Sequence, residues 1–141
     1  MEISEQSAQL LKQNGLKKTP ARLYVLNSLI TSKYAISYNI LEKETKNVAD
    51  RITLYRILKS FEQKGIIHKT IDHEGLPKYA LCHDNCNNSH HYDNHVHFNC
   101  TKCNQTICLD AVDIPAVTLP KGYQIKELSF SINGICKQCA K

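Results

Sequence analysis

Two Cys-x-x-Cys pairs, Cys100-Thr-Lys-Cys103 and Cys136-Lys-Gln-Cys139, stand 32 residues apart in this chain, and they narrow its possible folds more than any other feature. Each pair can place two thiolates about 2.3 Å from one ion, and zinc in a structural role favours a tetrahedral thiolate cage. The competing reading is a redox-active motif, but that motif occurs once, at a strand-to-helix junction of a βαβ unit, a context missing here. All seven cysteines lie at or after position 82, and residues 1–15 are polar, without the apolar core of a secretion signal. The expected compartment is the reducing cytoplasm, where metal ligation is favoured over a disulfide framework. Apolar runs extend over only a few residues, as at Ile66-Ile67, so no membrane span is expected.

Charge divides the chain at the same place. Residues 1–81 carry 13 Lys/Arg against 8 Asp/Glu, whereas residues 82–141 carry 5 of each, so the whole net charge of +5 lies in the first half. That half is expected to face something anionic.

Its pattern is helical and ends in a hairpin. A short opening helix carries Leu10 and Leu11 and ends at Gly15. Thr19-Pro20 starts a second helix as N-cap and first helical residue, with Leu23, Leu26 and Ile30 marking a face. Ser37 caps a third helix carrying Ile40 and Leu41. A fourth runs from about Arg51 to Lys64 and stops at Gly65, burying Leu54, Ile57, Leu58 and Phe61 at ideal helical spacing. Its opposite face shows Ile52, Arg56, Lys59 and Gln63, with Thr53 and Tyr55 on the flanks. Strand candidates Ile66–Ile71 and Leu76–Leu81 flank the turn Asp72-His73-Glu74-Gly75. Helices followed by a hairpin predict a winged helix-turn-helix, whose exposed helix fits the DNA major groove.

Residues 82–94 read as a linker, within an Asn/His/Asp-rich loop of no periodicity. Beyond it, His95–Cys100, Thr106–Asp110 and Tyr123–Ile135 are strand candidates separated by Pro115 and Pro120. So small a second part needs a metal or a partner chain. The fold class expected is α+β: a winged helix-turn-helix domain over 1–81, then a small α/β dimerisation domain over 95–141 with a four-cysteine zinc site.

Further ligands remain. His95 and His97 alternate along a strand and project from one face. Cys108 follows on the next strand, Cys82 closes the hairpin, and His68 lies on its first strand. A site drawing on these would bridge the two halves. Taken singly, each reads better as a polar residue near a loop, and Cys108 as a small buried hydrophobe. Cys86, His73, His90 and His91 have no regular geometry to make them ligands.

Together these features resemble the ferric uptake regulator family of metal-sensing repressors. Leu16-Lys17-Lys18-Thr19-Pro20-Ala21-Arg22 resembles its N-terminal segment, and Thr53-Leu54-Tyr55-Arg56 its recognition helix. The block from His95 through Cys103 resembles its His-x-His and first Cys-x-x-Cys, and Cys136–Cys139 the second. The resemblance implies a cytoplasmic homodimer that binds palindromic double-stranded DNA, with no enzymatic activity. Lys17, Arg22, Thr53, Tyr55, Arg56 and Lys59 are the expected DNA-contacting residues.

Departures point to a branch. Ala35 and Ala80 stand where iron sensors of the family have a His and an acidic ligand, and Leu128 where a third site has a His. By contrast, Gly65-Ile-Ile-His68-Lys69 and Leu81-Cys82-His83 resemble the zinc uptake regulators. Cys108 replaces the acidic ligand of zinc and peroxide sensors, with Asp110 as an alternative donor. The resemblance thus implies a sensor site of His68, Cys82, His95, His97 and Cys108, beside structural zinc on Cys100, Cys103, Cys136 and Cys139. Thiolates favour zinc over Fe(II) or Mn(II), with Cu(I) as the competitor. The rival readings are an iron-, peroxide- or redox-responsive regulator and a zinc-folded adaptor. A deaminase is disfavoured, because neither Cys-x-x-Cys follows a proline, and His95-Val-His97 has no nearby Glu to act as a base.

Overall fold

Three helices of the N-terminal half begin on a side chain that satisfies an otherwise orphaned N–H. Thr19 Oγ1 accepts from the Arg22 N–H at 3.2 Å, Ser37 Oγ from Ile40 at 3.3 Å and Asp50 Oδ1 from Thr53 at 2.7 Å. In the computed structural model, which describes residues 3–81, 96–109, 112–126 and 128–141, these caps open α2 (Pro20–Thr31), α3 (Tyr38–Glu44) and α4 (Arg51–Gln63), after α1 (Ile3–Gln13). Gly65, at φ 75°, closes α4: its N–H reaches the Glu62 carbonyl and that of Ile66 reaches Phe61. Only a residue without Cβ takes that left-handed position cheaply.

Leu54, Ile57, Leu58 and Phe61 are buried as their spacing predicts. With Leu11, Val25, Leu26, Leu29, Leu41, Ile66, Ile67 and Tyr79 they form the core. The face of α2 differs from expectation. Ala21, Val25, Leu26 and Leu29 are buried, while Leu23 and Ile30 are only half-buried. That helix is apolar nearly all round, so periodicity alone does not select its inner stripe. Ile40 likewise is exposed and Leu41 carries the α3 contact.

The hairpin comprises β2 (Ile67–Ile71) and β3 (Pro77–Leu81). A two-residue strand, β1 (Ile36–Ser37), pairs with β3 to give the antiparallel order β1-β3-β2; it is too short for any alternation to reveal. Helices plus this wing form a winged helix-turn-helix.

The C-terminal half holds β4 (Val96–Cys100), β5 (Thr106–Leu109) and β6 (Phe130–Gly134), in the order β5-β4-β6. β5 is antiparallel to β4 and β6 parallel to it. The strand expected over Tyr123–Ile135 is therefore confined to Phe130–Gly134, and residues 123–126 form no strand. Parallel pairing explains the difference: the chain must travel back along the sheet before β6 can begin. Cys82, Cys86, His90, His91, His95 and Asp110 lie outside the described residues, as does the expected linker. No described helix is long and apolar enough to cross a membrane.

Candidate metal centre

The parallel β4–β6 pairing brings the two Cys-x-x-Cys segments together. Cys100 ends β4 opposite Gly134, and the Thr101 N–H donates to the Gly134 carbonyl at 2.8 Å. A Cβ at Gly134 would sit 3.2 Å from the Phe98 ring, so glycine allows this close approach. Two residues on, Cys136 presents its N–H to Cys100 Sγ at 3.4 Å, as Cys103 does at 3.5 Å. The four sulfurs of Cys100, Cys103, Cys136 and Cys139 lie within 4.8 Å of one another. Cys103 and Cys136 Sγ are 3.9 Å apart. Sulfurs about 2.3 Å from a tetrahedral ion are separated by about 3.8 Å, close to the Cys103–Cys136 distance, so this donor set suits zinc.

Thiol electrostatics agree. Hydrogen bonds from the backbone of Cys103 and Cys136 hold the Cys100 thiol down at about 6, whereas thiol neighbours, Cys136 first, push Cys139 up to about 12. Cys100 is thus the thiol that ionises most readily, while hydrogen bonding with the Cys136 thiol and burial disfavour the Cys139 thiolate. Loading the site at pH 7 is expected to release fewer protons than there are thiols, because Cys100 arrives deprotonated. Lowering the pH through about 6 raises the release, since Cys100 then carries a proton to be displaced. Calorimetry in buffers of different ionisation enthalpy measures this; a release unchanged across that range would contradict it.

A second cluster joins the two halves. His97 on β4 stands directly opposite Cys108 on β5, and β2 delivers His68 to the same face. His68 and His97 Nε2 are 3.0 Å apart, and Cys108 Sγ lies 3.8 Å from His68 Nε2. Both imidazoles are about 1% exposed, with ring centroids 5.0 Å apart. Three donor atoms mutually within 4.8 Å suit a cation of zinc's size, which holds His nitrogens at about 2.0–2.1 Å. Cys82 and His95, expected beside them, lie outside the described residues. Ala80 pairs with His68 across the hairpin, so that position offers no carboxylate to the cluster. Ala35 is buried, its N–H donating to the Thr106 carbonyl at 3.0 Å, and Leu128 is exposed. His73 belongs to neither cluster.

Sequence reasoning missed the network behind His97. Asn99, two residues on and therefore on the same face, donates to Ser131 Oγ at 3.0 Å and Asn133 Oδ1 at 3.1 Å, while Thr106 donates to its Oδ1 at 2.8 Å. Asn99 is buried, and it fastens β4 to both neighbours. The alternating polar residues of β6 were the only available signal.

On α4, Thr53, Tyr55, Arg56 and Lys59 are all exposed beside Ile52. Lys17 is exposed, and its carbonyl accepts from Arg22 Nη1 at 2.8 Å, which ties the α1–α2 loop to the start of α2.

A family model described as the ferric uptake regulator family matches residues 13–133. The chain is 30% identical over 138 residues to a ferric uptake regulation protein of Neisseria meningitidis serogroup B, covering 92% of this chain and 90% of that one. It is 27% identical over 151 residues to a zinc uptake regulation protein of Escherichia coli K12, covering 99% and 82%. A zinc uptake regulator solved in complex with zinc and DNA superposes with a TM-score of 0.68 at 22% identity, over 97% of this chain and 92% of the other.

Proposed function

Since the chain belongs to the ferric uptake regulator family, and is thus a metal-dependent regulator of transcription and not an enzyme, we propose that it is a zinc-responsive repressor. It acts in the cytoplasm as a homodimer on a palindromic operator, joined through residues 95–141, with residues 1–81 as the DNA-binding domain. Cys100, Cys103, Cys136 and Cys139 hold structural zinc; His68, His97 and Cys108, with Cys82 and His95, hold regulatory zinc. The convergence of His68 from the wing with His97 and Cys108 from the other sheet carries this reading. Ferric and zinc relatives match with nearly equal identity, and it is the donor set that supports zinc. Imidazole and thiolate favour zinc over harder divalent ions.

A bound zinc ion supplies a single positive centre on which donors from both halves converge. His68 moves with the wing and α4, so seating it against His97 and Cys108 fixes the recognition helix relative to the dimerisation sheet. Arg56 and Lys59 then meet the major groove at half-site spacing, with Thr53 and Tyr55 beside them and Lys17 and Arg22 on the backbone. Turning a 1:99 closed population into 99:1 requires a preference of about 10⁴, or roughly 5.5 kcal/mol. The open state lacks donors from one half, which makes a preference of that size attainable.

The test is operator binding at buffered zinc against binding in chelator, repeated over a range of salt. Zinc-dependent binding is expected. Arg56→Ala should cost about 1–3 kcal/mol and relax the preference at one base pair. Lys59→Ala should weaken all sequences alike and reduce the salt slope by about 1. Equal binding with and without zinc would contradict the reading.

A further inference from the structure

Between the two clusters lies a polar contact that neither uses. Lys78, on β3, has a side chain only 8% exposed, and its Nζ pairs at 3.8 Å with Oδ2 of Asp72, itself nearly buried. The same Nζ donates to the backbone carbonyl of Asn104. A lysine is seldom buried without ionic and hydrogen-bonding partners, and here the two partners differ in kind. Asp72 belongs to the same hairpin. Asn104 belongs to the opposite half, immediately after Cys103.

Asn104 occupies the left-handed region at φ 64°, and its N–H closes a turn onto the Cys100 carbonyl at 2.9 Å. The first Cys-x-x-Cys knuckle therefore presents the acceptor. Across the hairpin Lys78 pairs with Thr70, and Ala80 with His68, so Lys78 and His68 share a face one alternation apart. The polypeptide from Asn104 continues into β5, which carries Cys108. One rigid hairpin thus delivers both the ammonium to the knuckle and the imidazole to the second cluster.

We propose that Lys78 is a positioning residue that docks the wing on the four-cysteine knuckle, so that the knuckle's integrity sets how well His68 meets His97 and Cys108. The inference rests on the proposed sensor reading for its effect on regulatory zinc, while the docking contact stands without it. A knuckle that has lost its shape withdraws the Asn104 carbonyl from the ammonium, and the hairpin loses its nearest anchor. Charge-assisted hydrogen bonds of this type are among the stronger ones. Coupling of this kind is reciprocal: occupancy of either cluster strengthens binding at the other.

The experiment uses the full chain carrying only its chelator-resistant zinc, as wild type, Lys78→Met, Lys78→Gln and Lys78→Arg. Zinc alone is titrated into each, and amide hydrogen exchange over residues 67–81 is read before the titration. Lys78→Met is expected to lower the affinity for exchangeable zinc by about tenfold or more and to speed exchange across the hairpin. The chelator-resistant zinc should still be retained at one per chain, since its four thiolates are untouched. Lys78→Arg should recover most of the affinity, which a merely space-filling role would not predict. Lys78→Gln, uncharged but still a donor, should fall between them and keeps the test decisive if the methionine variant folds poorly. Asp72→Asn, which spares the Asn104 bond, should have the smaller effect. Unaltered zinc affinity and hairpin exchange in Lys78→Met, or an Asp72→Asn effect as large, would overturn the proposal. If wild type takes up no exchangeable zinc, the sensor reading fails while hairpin exchange still decides the docking role.

Discussion

Cys100→Ser is expected to abolish chelator-resistant zinc binding and to leave the C-terminal half without a stable fold or a dimer. The reason is how little else holds it. Val96, Cys100 and Cys136 are the buried apolar residues described there, and every member of the main core cluster lies at or before Tyr79. A sheet of three short strands cannot supply its own stability, whereas binding of structural zinc contributes on the order of 10 kcal/mol in small zinc domains. Cys100 is also the sulfur toward which Cys103 and Cys136 direct their N–H groups, and serine is a poor substitute for a thiolate ligand. The helical core around Phe61 should survive, so far-ultraviolet dichroism falls only in part. Sedimentation and hydrogen exchange over residues 96–109 measure the rest. A stable dimer with protected β4 amides would contradict the expectation.

His97→Ala should have the opposite profile: an intact dimer with its chelator-resistant zinc, but strongly weakened zinc-dependent DNA binding. Losing a residue that merely orients a ligand already costs metal sites about 10–100-fold in affinity. Removing a donor 3.0 Å from His68 Nε2 should cost at least the upper end of that range. The loss exceeds about 2.7 kcal/mol, roughly half of what the conformational shift requires. Cys108→Ser separates metal identity from geometry. It should weaken zinc more than manganese, since the thiolate is the donor that discriminates between them. Titration with each metal, followed by DNA binding, checks both variants; His97→Ala with wild-type zinc-dependent binding would remove the cluster from regulation.

The parts legible in the sequence are those fixed by local chemistry. Thr19 and Ser37 cap helices because a side-chain oxygen within three residues of an orphan N–H is a local fact; Asp50 caps α4 in the same way, although sequence reasoning did not single it out. The α4 stripe reads cleanly because its two faces differ in polarity. The faces of α2 do not differ, and its inward residues are chosen by what packs against them. Spacing alone proposed that Cys100–Cys103 meets Cys136–Cys139; the route by which they meet, a parallel β6 starting only at Phe130, depends on pairing across 34 residues. His68, His97 and Cys108 looked like separate residues until sheet register stacked them, and without the family resemblance nothing joined them. Lys78 was not legible at all, and Asn99 only faintly, through the alternating polar residues of β6. Their partners, Ser131, Asn133 and the Asn104 carbonyl, are distant in sequence, and one of them is a backbone atom that no side-chain pattern reveals.

The most direct measurement is the number of zinc ions per chain across a buffered-zinc titration, with DNA binding recorded on the same samples. Two zincs are expected, one retained against strong chelators and one exchangeable, with DNA binding rising in step with the second. A single retained zinc with no second step, or DNA binding that ignores the second step, would contradict regulation through His68, His97 and Cys108.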